Sequence, residues 1–491
     1  MIALSLEQLA DVVGGDLVDP AAGARAVDDV VIDSRRARAG SLFVPLPGEH
    51  TDGHRHIGAA LEAGASACLV AADQAAAVLA ELDRVSRSGG AAHHGSSAAV
   101  VVDDPGDALL GLGAWVRQTV DPLVIAVTGS SGKTTTKDLA AAAVSAQRST
   151  VANHGSYNNE LGVPLTCCRL ELSSEVLVAE VGARGVGHIA ALAPVIAPDV
   201  AIVTTVSTAH LGMFGSVEIT ARAKSELVQS LGAGGTAILN ADDARVAAMA
   251  PLATAVGARV VTYGVDQDAD WRARDLELDA RARPSFTVRG VRVHVPVPGE
   301  HNVGNALAAL AAADAAGVEL AAAARALAGA AVSPWRMELA DAVGGVTVLN
   351  DAYNANPASM AAALRTLARL QVDGRRWAVL GHMAELGAAS DAEHAAAGRL
   401  AVRLGVDELV VVGALAGALA DAAVGEGAGR AEVVAVEDVA AAVAHLRLRL
   451  RPGDAVLIKA SRSAGLDRVA ALLLPGPPGD AGAPGDLGGG A

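Results

Sequence analysis

The chain has 491 residues, room for about three domains at roughly 100–200 residues each. Its formal net charge is −16, from 38 Lys and Arg against 54 Asp and Glu, and no basic run interrupts that acidity. A nucleic-acid or membrane-surface partner is therefore not expected, although a local loop and a metal can still hold an anionic ligand.

The opening MIALSLEQLADVVGGD lacks a basic start followed by an apolar core, so no signal peptide is read there. No uninterrupted apolar run reaches about 18 residues, so no spanning helix is expected. Hydrophobic residues make up 52% of the chain, but only 2% of residues are aromatic and alanine is abundant, which blurs helical periodicity. Up to residue 80, short apolar strands alternate with helical patches. VVIDSR and SLFVPLPG read as strand then turn, and HIGAALEAGAS as a helix. DRVSRSGGAAHHGSSA, from Asp83 to Ala98, reads as a flexible surface loop, with His93 and His94 solvated. LVIAVTG, Leu123 to Gly129, is a buried strand ending in glycine, and DLAAAAVSAQR carries a helix onward. EVLVAEVG, AIVTTV and GTAILNADD follow, and past Pro334 come VTVLNDAYN, WAVLGH, ELVVVG and AVLIKAS. Strands alternating with helices predict parallel sheets and an α/β fold. Cys68, Cys167 and Cys168 show no C-x-x-C spacing, against a disulfide framework or zinc site and in favour of a reducing cytoplasm. PGPPGDAGAPGDLGGGA, from Pro475, reads as a disordered tail. No repeat of fixed period is visible.

The stretch AVTGSSGKTTTKD, Ala126 to Asp138, has the strand–glycine turn–Lys-Thr–helix order of a phosphate-binding loop. The common loop has a glycine five positions before its Gly-Lys pair; that position is Val127, and the nearer glycine is Gly129. The loop is thus shorter, not absent. Backbone N–H groups at the helix start would face an anion. Lys133 could reach terminal phosphates, and Thr134 could offer its hydroxyl to Mg²⁺. Around it, Glu180 ends one strand, His210 follows another, and Lys224 lies in the helical stretch ITARAKSELVQ. Strand ends of this kind border the ligand crevice of a doubly wound sheet. Each also has a plain structural reading: a solvated strand end, a satisfied loop histidine, a helix surface charge.

The run TGSSGKTTTKD, SYNNELGVPLT, AEVGA, AHLGMFGS, AKSEL, LNADD, PGEHNVGNALAA and NDAYNANPASM resembles the Mur ligases of peptidoglycan synthesis, in order from about Val31 to about Arg462. NDAYNANP and SLFVPLPGEHTDGH are most similar to the type that adds D-alanyl-D-alanine to UDP-N-acetylmuramoyl-tripeptide. The short G-x-x-G-K-T loop is that family's own form. The resemblance implies three domains. These are an N-terminal α/β domain for the UDP substrate (1–120), a central P-loop ATPase domain with a parallel sheet (121–333), and a C-terminal Rossmann-like domain for the incoming dipeptide (334–474), with a tail at 475–491. It implies an ATP- and Mg²⁺-dependent amide ligase working through an acyl phosphate, monomeric and cytoplasmic, serving cell-wall biogenesis.

By the same resemblance, Gly129, Ser130, Ser131, Gly132, Lys133, Thr134 and Thr135 cradle the phosphates. Thr134 offers its hydroxyl to Mg²⁺, Glu180 and His210 are expected ligands of a second Mg²⁺, and Lys224 is the position carbamylated in such ligases. A carbamate needs a neutral amine, so a depressed lysine pKa is implied. Asn302 and Asn305 contact adenine, Arg336 reaches the phosphates, and Asp351 contacts the ribose. Asp33, Ser34 and Arg35, and Asp52, Gly53 and His54, match the motifs that hold the UDP end. Asn158 and Asn159 face the sugar-peptide. Tyr353, Asn354, Asn356, Lys459, Ser461 and Arg462 are candidates for the dipeptide. Two departures stand out: His382 where an acid is usual, and Trp335 where a smaller residue is commoner. Two other readings remain at this point. One is a related amide ligase of the folylpolyglutamate synthase type; the other is a P-loop ATPase acting as a switch or binding module.

Overall fold

The computed structural model describes residues 1–48, 51–87, 99–207, 215–342, 344–427 and 431–474. His93, His94, His210 and the tail from Pro475 lie outside them. The α/β expectation holds: three sheets, largely parallel, follow one another along the chain.

The first is five-stranded, in the order Asp16–Leu17, Ala99–Val102, Ala67–Ala71, Ser41–Phe43, Asp29–Val31, with an antiparallel first pair and parallel pairs thereafter. The second has seven parallel strands: Trp271–Arg272, Arg259–Gly264, Thr236–Asn240, Val200–Val203, Leu123–Thr128, Val176–Glu180, Thr150–Ala152. The third runs Glu338–Ala342, Val346–Asn350, Ala455–Lys459, Arg376–Leu380, Glu408–Val412, Glu432–Val436, with only its first pair antiparallel. The central strands are near-continuous apolar runs, as strands covered on both faces must be. Val176 to Ala179 and Val200 to Val203 are all at most 3% exposed.

Chain order places the crevices. From Leu123–Thr128 the central sheet grows to one side through Val176–Glu180 and to the other through Val200–Val203. The end of Leu123–Thr128 is therefore a switch point, where diverging loops open a crevice. In the third sheet the same divergence lies between Arg376–Leu380 and Ala455–Lys459.

Two apolar clusters cross these units. One packs Leu4, Leu9, Leu109 and Val116 with Val163, Leu177, Leu192 and Val203, joining the first and second sheets. The other packs Ile125, Val127 and the Asn302–Ala315 helix with Leu349, Leu364 and Leu457, reaching the third. Alanine does much of this work: within Asn302–Ala315, Ala306, Ala308, Ala309, Ala311, Ala312 and Ala313 are all buried, which lets the Lys133–Val144 helix approach closely. A three-stranded antiparallel sheet, Arg274–Leu278, Pro284–Val288 and Val291–His294, was not anticipated. Among the described residues no helix is long and apolar enough to cross a membrane.

Candidate active site

The Gly129–Gly132 turn is as tight as its two glycines permit. Gly129 has φ +152°, and a Cβ there would lie 1.8 Å from Thr204 Oγ1. Gly132 has φ +82°, and a Cβ there would lie 2.5 Å from Asn305 Oδ1. Only glycine fits either place. The neighbouring strand end holds the turn: Ser130 N donates to Thr205 O (2.8 Å), Ser131 N to Thr205 Oγ1 (3.1 Å), and Thr204 Oγ1 to Ser131 O (2.6 Å). The helix Lys133–Val144 begins at once, with Gly132 as its cap and no side chain bonded to its first turn. Its leading N–H groups are thus left for a ligand.

Lys133 Nζ donates to Gly129 O (3.0 Å). Burial lowers its pKa; the Glu180 charge opposes the fall, and Arg336 adds to it. Thr134 Oγ1 donates to Glu180 Oε2 (2.6 Å), and Asn158 Nδ2 to Glu180 Oε1 (2.6 Å). Glu180 is 1% exposed and its backbone N donates to Asn153 Oδ1 (2.6 Å). Lys224 sits on the Val217–Gln229 helix, which Ser216 caps. Burial, then the nearby Lys133 charge, pushes its pKa down to about 7. Among the described residues no three His, Cys, Asp or Glu side chains are grouped to hold a metal. The donors present here are hard oxygens, from Thr134 and Glu180.

The third sheet reaches into this crevice. Arg336 lies between Trp335 (φ +61°) and Met337 (φ +53°), and its guanidinium stacks on the Tyr353 ring, 3.9 Å from the centroid. Arg336 Nε is buried without a hydrogen-bond partner among the described residues. Tyr353 OH meets Ser156 Oγ, and Asn356 Nδ2 donates to Ser131 Oγ (3.0 Å). Asp351 is already engaged: Oδ1 accepts from Met337 N (3.0 Å) and Oδ2 pairs with Lys459 Nζ (2.5 Å). Lys459 is 1% exposed and also donates to Asn354 O (3.0 Å). The expected ribose and dipeptide contacts are thus spent on each other in this structure. Together they hold the turn that carries Arg336.

Residues 27–144 match the Mur ligase family catalytic domain, 127–313 the Mur ligase middle domain, and 335–462 the Mur ligase glutamate ligase domain. The chain is 43% identical to the UDP-N-acetylmuramoyl-tripeptide–D-alanyl-D-alanine ligase of Mycobacterium tuberculosis, with 96% of this chain and 98% of that one covered. The chain belongs to the Mur ligase family. Its fold is also like that of MurF from Acinetobacter baumannii (29% identity, TM-score 0.81, 96% and 98% covered). MurF from Thermotoga maritima, solved in complex with ADP, is similar at 25% identity and TM-score 0.73, with 91% and 97% covered.

In this Mur ligase the two N-terminal motifs form neighbouring turns. Asp33 pairs with Arg35 through both oxygens (2.8 and 2.9 Å), leaving Arg35 79% exposed. Asp52 Oδ1 accepts from His54 Nδ1 (2.7 Å) and His54 N (2.9 Å), and His54 Nε2 accepts from Ala71 N (3.1 Å). These bonds hold the Asp52 carboxyl down to about 2. Both ring nitrogens of His54 are thus used internally, and Asp52 Oδ2 also accepts from Gln74 Nε2 (3.0 Å). Gly53 is needed because a Cβ would lie 2.5 Å from Leu46 N.

Asn302 and Asn305 are buried and face each other: Asn305 Nδ2 donates to Asn302 Oδ1 (2.8 Å), and Asn302 Nδ2 to Pro298 O (2.7 Å). Beside them strand ends of the second sheet border a cavity of about 730 Å³. Its walls include Thr205, Asn240, Gly299, His301 and Arg365. Thr205 links this cavity to the phosphate loop. His301, one residue from the expected Asn302, was missed as a wall residue. Lys137 and Asp138, away from that cavity, were missed as well: Lys137 Nζ pairs with Asp138 Oδ1 (2.5 Å) and donates to Asn153 O (2.8 Å), while Asp138 Oδ2 accepts from Ser333 N (2.7 Å). The TKD run after the loop was their only sequence signal. His382 bonds Ser463 Oγ (2.9 Å) at the third sheet's switch point.

Proposed function

We propose that this Mur ligase joins D-alanyl-D-alanine to UDP-N-acetylmuramoyl-tripeptide, consuming ATP and giving the pentapeptide, ADP and phosphate in peptidoglycan precursor synthesis. What carries the reading is the convergence of the phosphate loop, Glu180 and Arg336 in one crevice, in a chain alike over 96% of its length to a relative named for that reaction. At that coverage only about 20 of 491 residues fall outside the match, so most of the first 110 lie within it, which sets this chain apart from the folylpolyglutamate type. Within it we divide the chain at 1–120, 121–333 and 334–474.

A peptide carboxylate is a poor acceptor for an amine until one of its oxygens becomes a leaving group. In this reading the terminal carboxylate oxygen of the tripeptide attacks the γ-phosphorus of ATP. The bond from that phosphorus to the bridging oxygen breaks and ADP leaves. The dipeptide amine then attacks the acyl carbon, the C–O bond breaks, phosphate departs with its electrons, and the ammonium proton passes to solvent. The chain's task is to hold two anions face to face. The leading N–H groups of Lys133–Val144, the Lys133 ammonium and the Arg336 guanidinium supply positive charge on the phosphate side. The cavity beside Thr205 takes the adenosine end, with His301 on its wall and Asn302 and Asn305 buried next to it.

Thr134 and Glu180 fit a hard cation, and few protein oxygens suit an ion that keeps water and phosphate oxygens as its other ligands. Mg²⁺ bound there would offset charge between triphosphate and carboxylate. His210 and carbamylated Lys224 complete that set in our reading. A Lys224 amine with a pKa near 7 is substantially neutral, so it can add CO₂ and release a proton, exchanging a cation for an anionic oxygen donor. Asn158 and Asn159 face the sugar-peptide, the Asp33–Arg35 and Asp52–His54 turns frame the UDP end, and Asn354, Ser461 and Arg462 line the dipeptide side. The setting is the cytoplasm, and the unit a monomer.

The test is a pairing assay with ATP, Mg²⁺, UDP-tripeptide and D-alanyl-D-alanine. Amide product and phosphate should require both peptide substrates, and Lys133→Ala should abolish both. Phosphate release without an amine acceptor would instead indicate a switch-type ATPase.

A further inference from the structure

We propose that the Tyr353–Asn356 turn is a two-point latch. Asn356 positions the phosphate loop and Tyr353 positions the loop that mounts Glu180, so both reach working geometry only when the third sheet is seated. This deepens the ligase reading, rests on it, and treats both residues as positioning residues rather than dipeptide contacts.

Asn356 caps the Pro357–Arg369 helix. Its Oδ1 accepts from Ser359 N (2.9 Å), and Ser359 Oγ accepts from Asn356 N (3.0 Å). Its amide nitrogen donates to Ser131 Oγ (3.0 Å), and that hydroxyl also lies 3.5 Å from Oδ1, so the amide end of Asn356 faces Ser131. The backbone of Ser131 is already held by Thr205 Oγ1 and Thr204 Oγ1 from the second sheet. Its side chain is thus the one part of that residue anchored by the third.

Tyr353 makes the second contact. Its hydroxyl meets Ser156 Oγ, its ring carries the Arg336 guanidinium, and its N donates to Trp335 O (3.2 Å). Ser156 belongs to the segment in which Asn153 Oδ1 receives Glu180 N and Asn158 Nδ2 reaches Glu180 Oε1. In the same segment Asn153 O and Gly155 O receive Lys137 Nζ. Three residues apart on one turn, Tyr353 and Asn356 touch the two sides of the crevice. Withdrawing the third sheet would release both and carry Arg336 away with them. Closure would then be sensed at the phosphates and at Glu180 together, and an acyl phosphate would form only where water is shut out.

Asn356→Ser tests one point without removing the cap, since serine caps about as well as asparagine but is too short to reach Ser131. Asn356→Ser and Ser131→Ala should each lower kcat by about tenfold or more, the scale of a small misplacement of catalytic groups. The dipeptide KM should move by less than the kcat does. The double variant Asn356→Ser with Ser131→Ala should be no slower than the worse single. Tyr353→Phe and Ser156→Ala should behave likewise as a pair. Hydrogen exchange supplies a readout that needs no turnover: Asn356→Ser should speed exchange in residues 129–132, and Tyr353→Phe in residues 153–159. Multiplying rate effects, unchanged exchange in those segments, or a raised dipeptide KM at unchanged kcat would overturn the latch. If the unaltered chain forms no amide, the ligase reading fails, and the exchange data still decide the latch.

Discussion

At Gly129 a single hydrogen atom decides whether the loop can exist. A methyl group there would overlap Thr204 Oγ1 at 1.8 Å and crowd Thr205 N at 3.1 Å, on a backbone with φ +152°. Thr204 cannot retreat without losing its bond to Ser131 O. Gly129→Ala should therefore cost about 2–4 kcal/mol by strain and overpacking and abolish nucleotide binding, measurable by urea unfolding and by ADP titration. Adding Thr204→Ala should recover part of the stability, because it removes the nearest clashing atom. A Gly129→Ala protein with unchanged ADP affinity would contradict this account. The loop was legible in the sequence because its signals are local: an apolar strand, two glycines three apart, Lys-Thr, then a helix. The pairing of Asp351 with Lys459 was not. It depends on Asn350 lying opposite Ile458 across two parallel strands, a register that no stretch of either strand encodes alone.

At the scale of elements, the Lys133–Val144 helix is fixed at a second point, one turn past the phosphate loop. Lys137 is 2% exposed, and its charge is met by Asp138 and by the carbonyls of Asn153 and Gly155. Asp138 in turn receives Ser333 N, at the entry to the third sheet. Removing one member of a buried pair strands the other, which costs about 3–5 kcal/mol, whereas an apolar replacement of similar volume costs much less. Asp138→Ala should thus destabilise the protein more than the double change Lys137→Met with Asp138→Ala, in which no charge is left alone. Denaturant unfolding of the two variants gives the comparison, and the reverse order would remove the pair from this role. The central strands Leu123–Thr128, Val176–Glu180, Val200–Val203 and Ala455–Lys459 were readable as apolar runs, since buried parallel strands leave few polar interruptions, whereas Ala67–Ala71, Ala99–Val102 and the edge strands Thr150–Ala152, Trp271–Arg272, Glu338–Ala342 and Glu432–Val436 were not read. The small antiparallel sheet was overlooked, although Phe286 and Val288 alternate with polar neighbours and Arg289-Gly290, both at positive φ, form its hairpin turn. In an alanine-rich chain, alternation over four or five residues is easily lost beside longer apolar runs.

For the whole molecule, the shared clusters predict how it comes apart. The first and second sheets are joined through Leu109, Leu112 and Val116 on the Pro105–Val120 helix, which pack with Val163, Cys167 and Leu170. Gly113 lies against Pro164 so closely that a Cβ would sit 2.7 Å from its side chain. Units sharing a core of this kind should unfold together rather than in sequence. The three buried thiols report on this directly. Cys68 lies inside the first sheet, and Cys167 and Cys168 at the seam with the second. Burial raises all three, Cys68 and Cys167 to about 12, so the reactive thiolate is suppressed in the folded chain. At pH 8 iodoacetamide should label none of them in native protein. As urea is raised, all three should become reactive at the same midpoint. Earlier labelling of Cys68 would mean that the first sheet opens alone and the shared core does not bind the two units. The same shifts set an alkaline limit. A group with a raised folded pKa adds stability in full below its ordinary value, here 9.0, and loses it as pH climbs toward about 12. The urea midpoint should accordingly fall between pH 9 and pH 11, and fall less in a Cys68→Ala, Cys167→Ala variant, whose own midpoint at pH 8 supplies the reference for the lost packing.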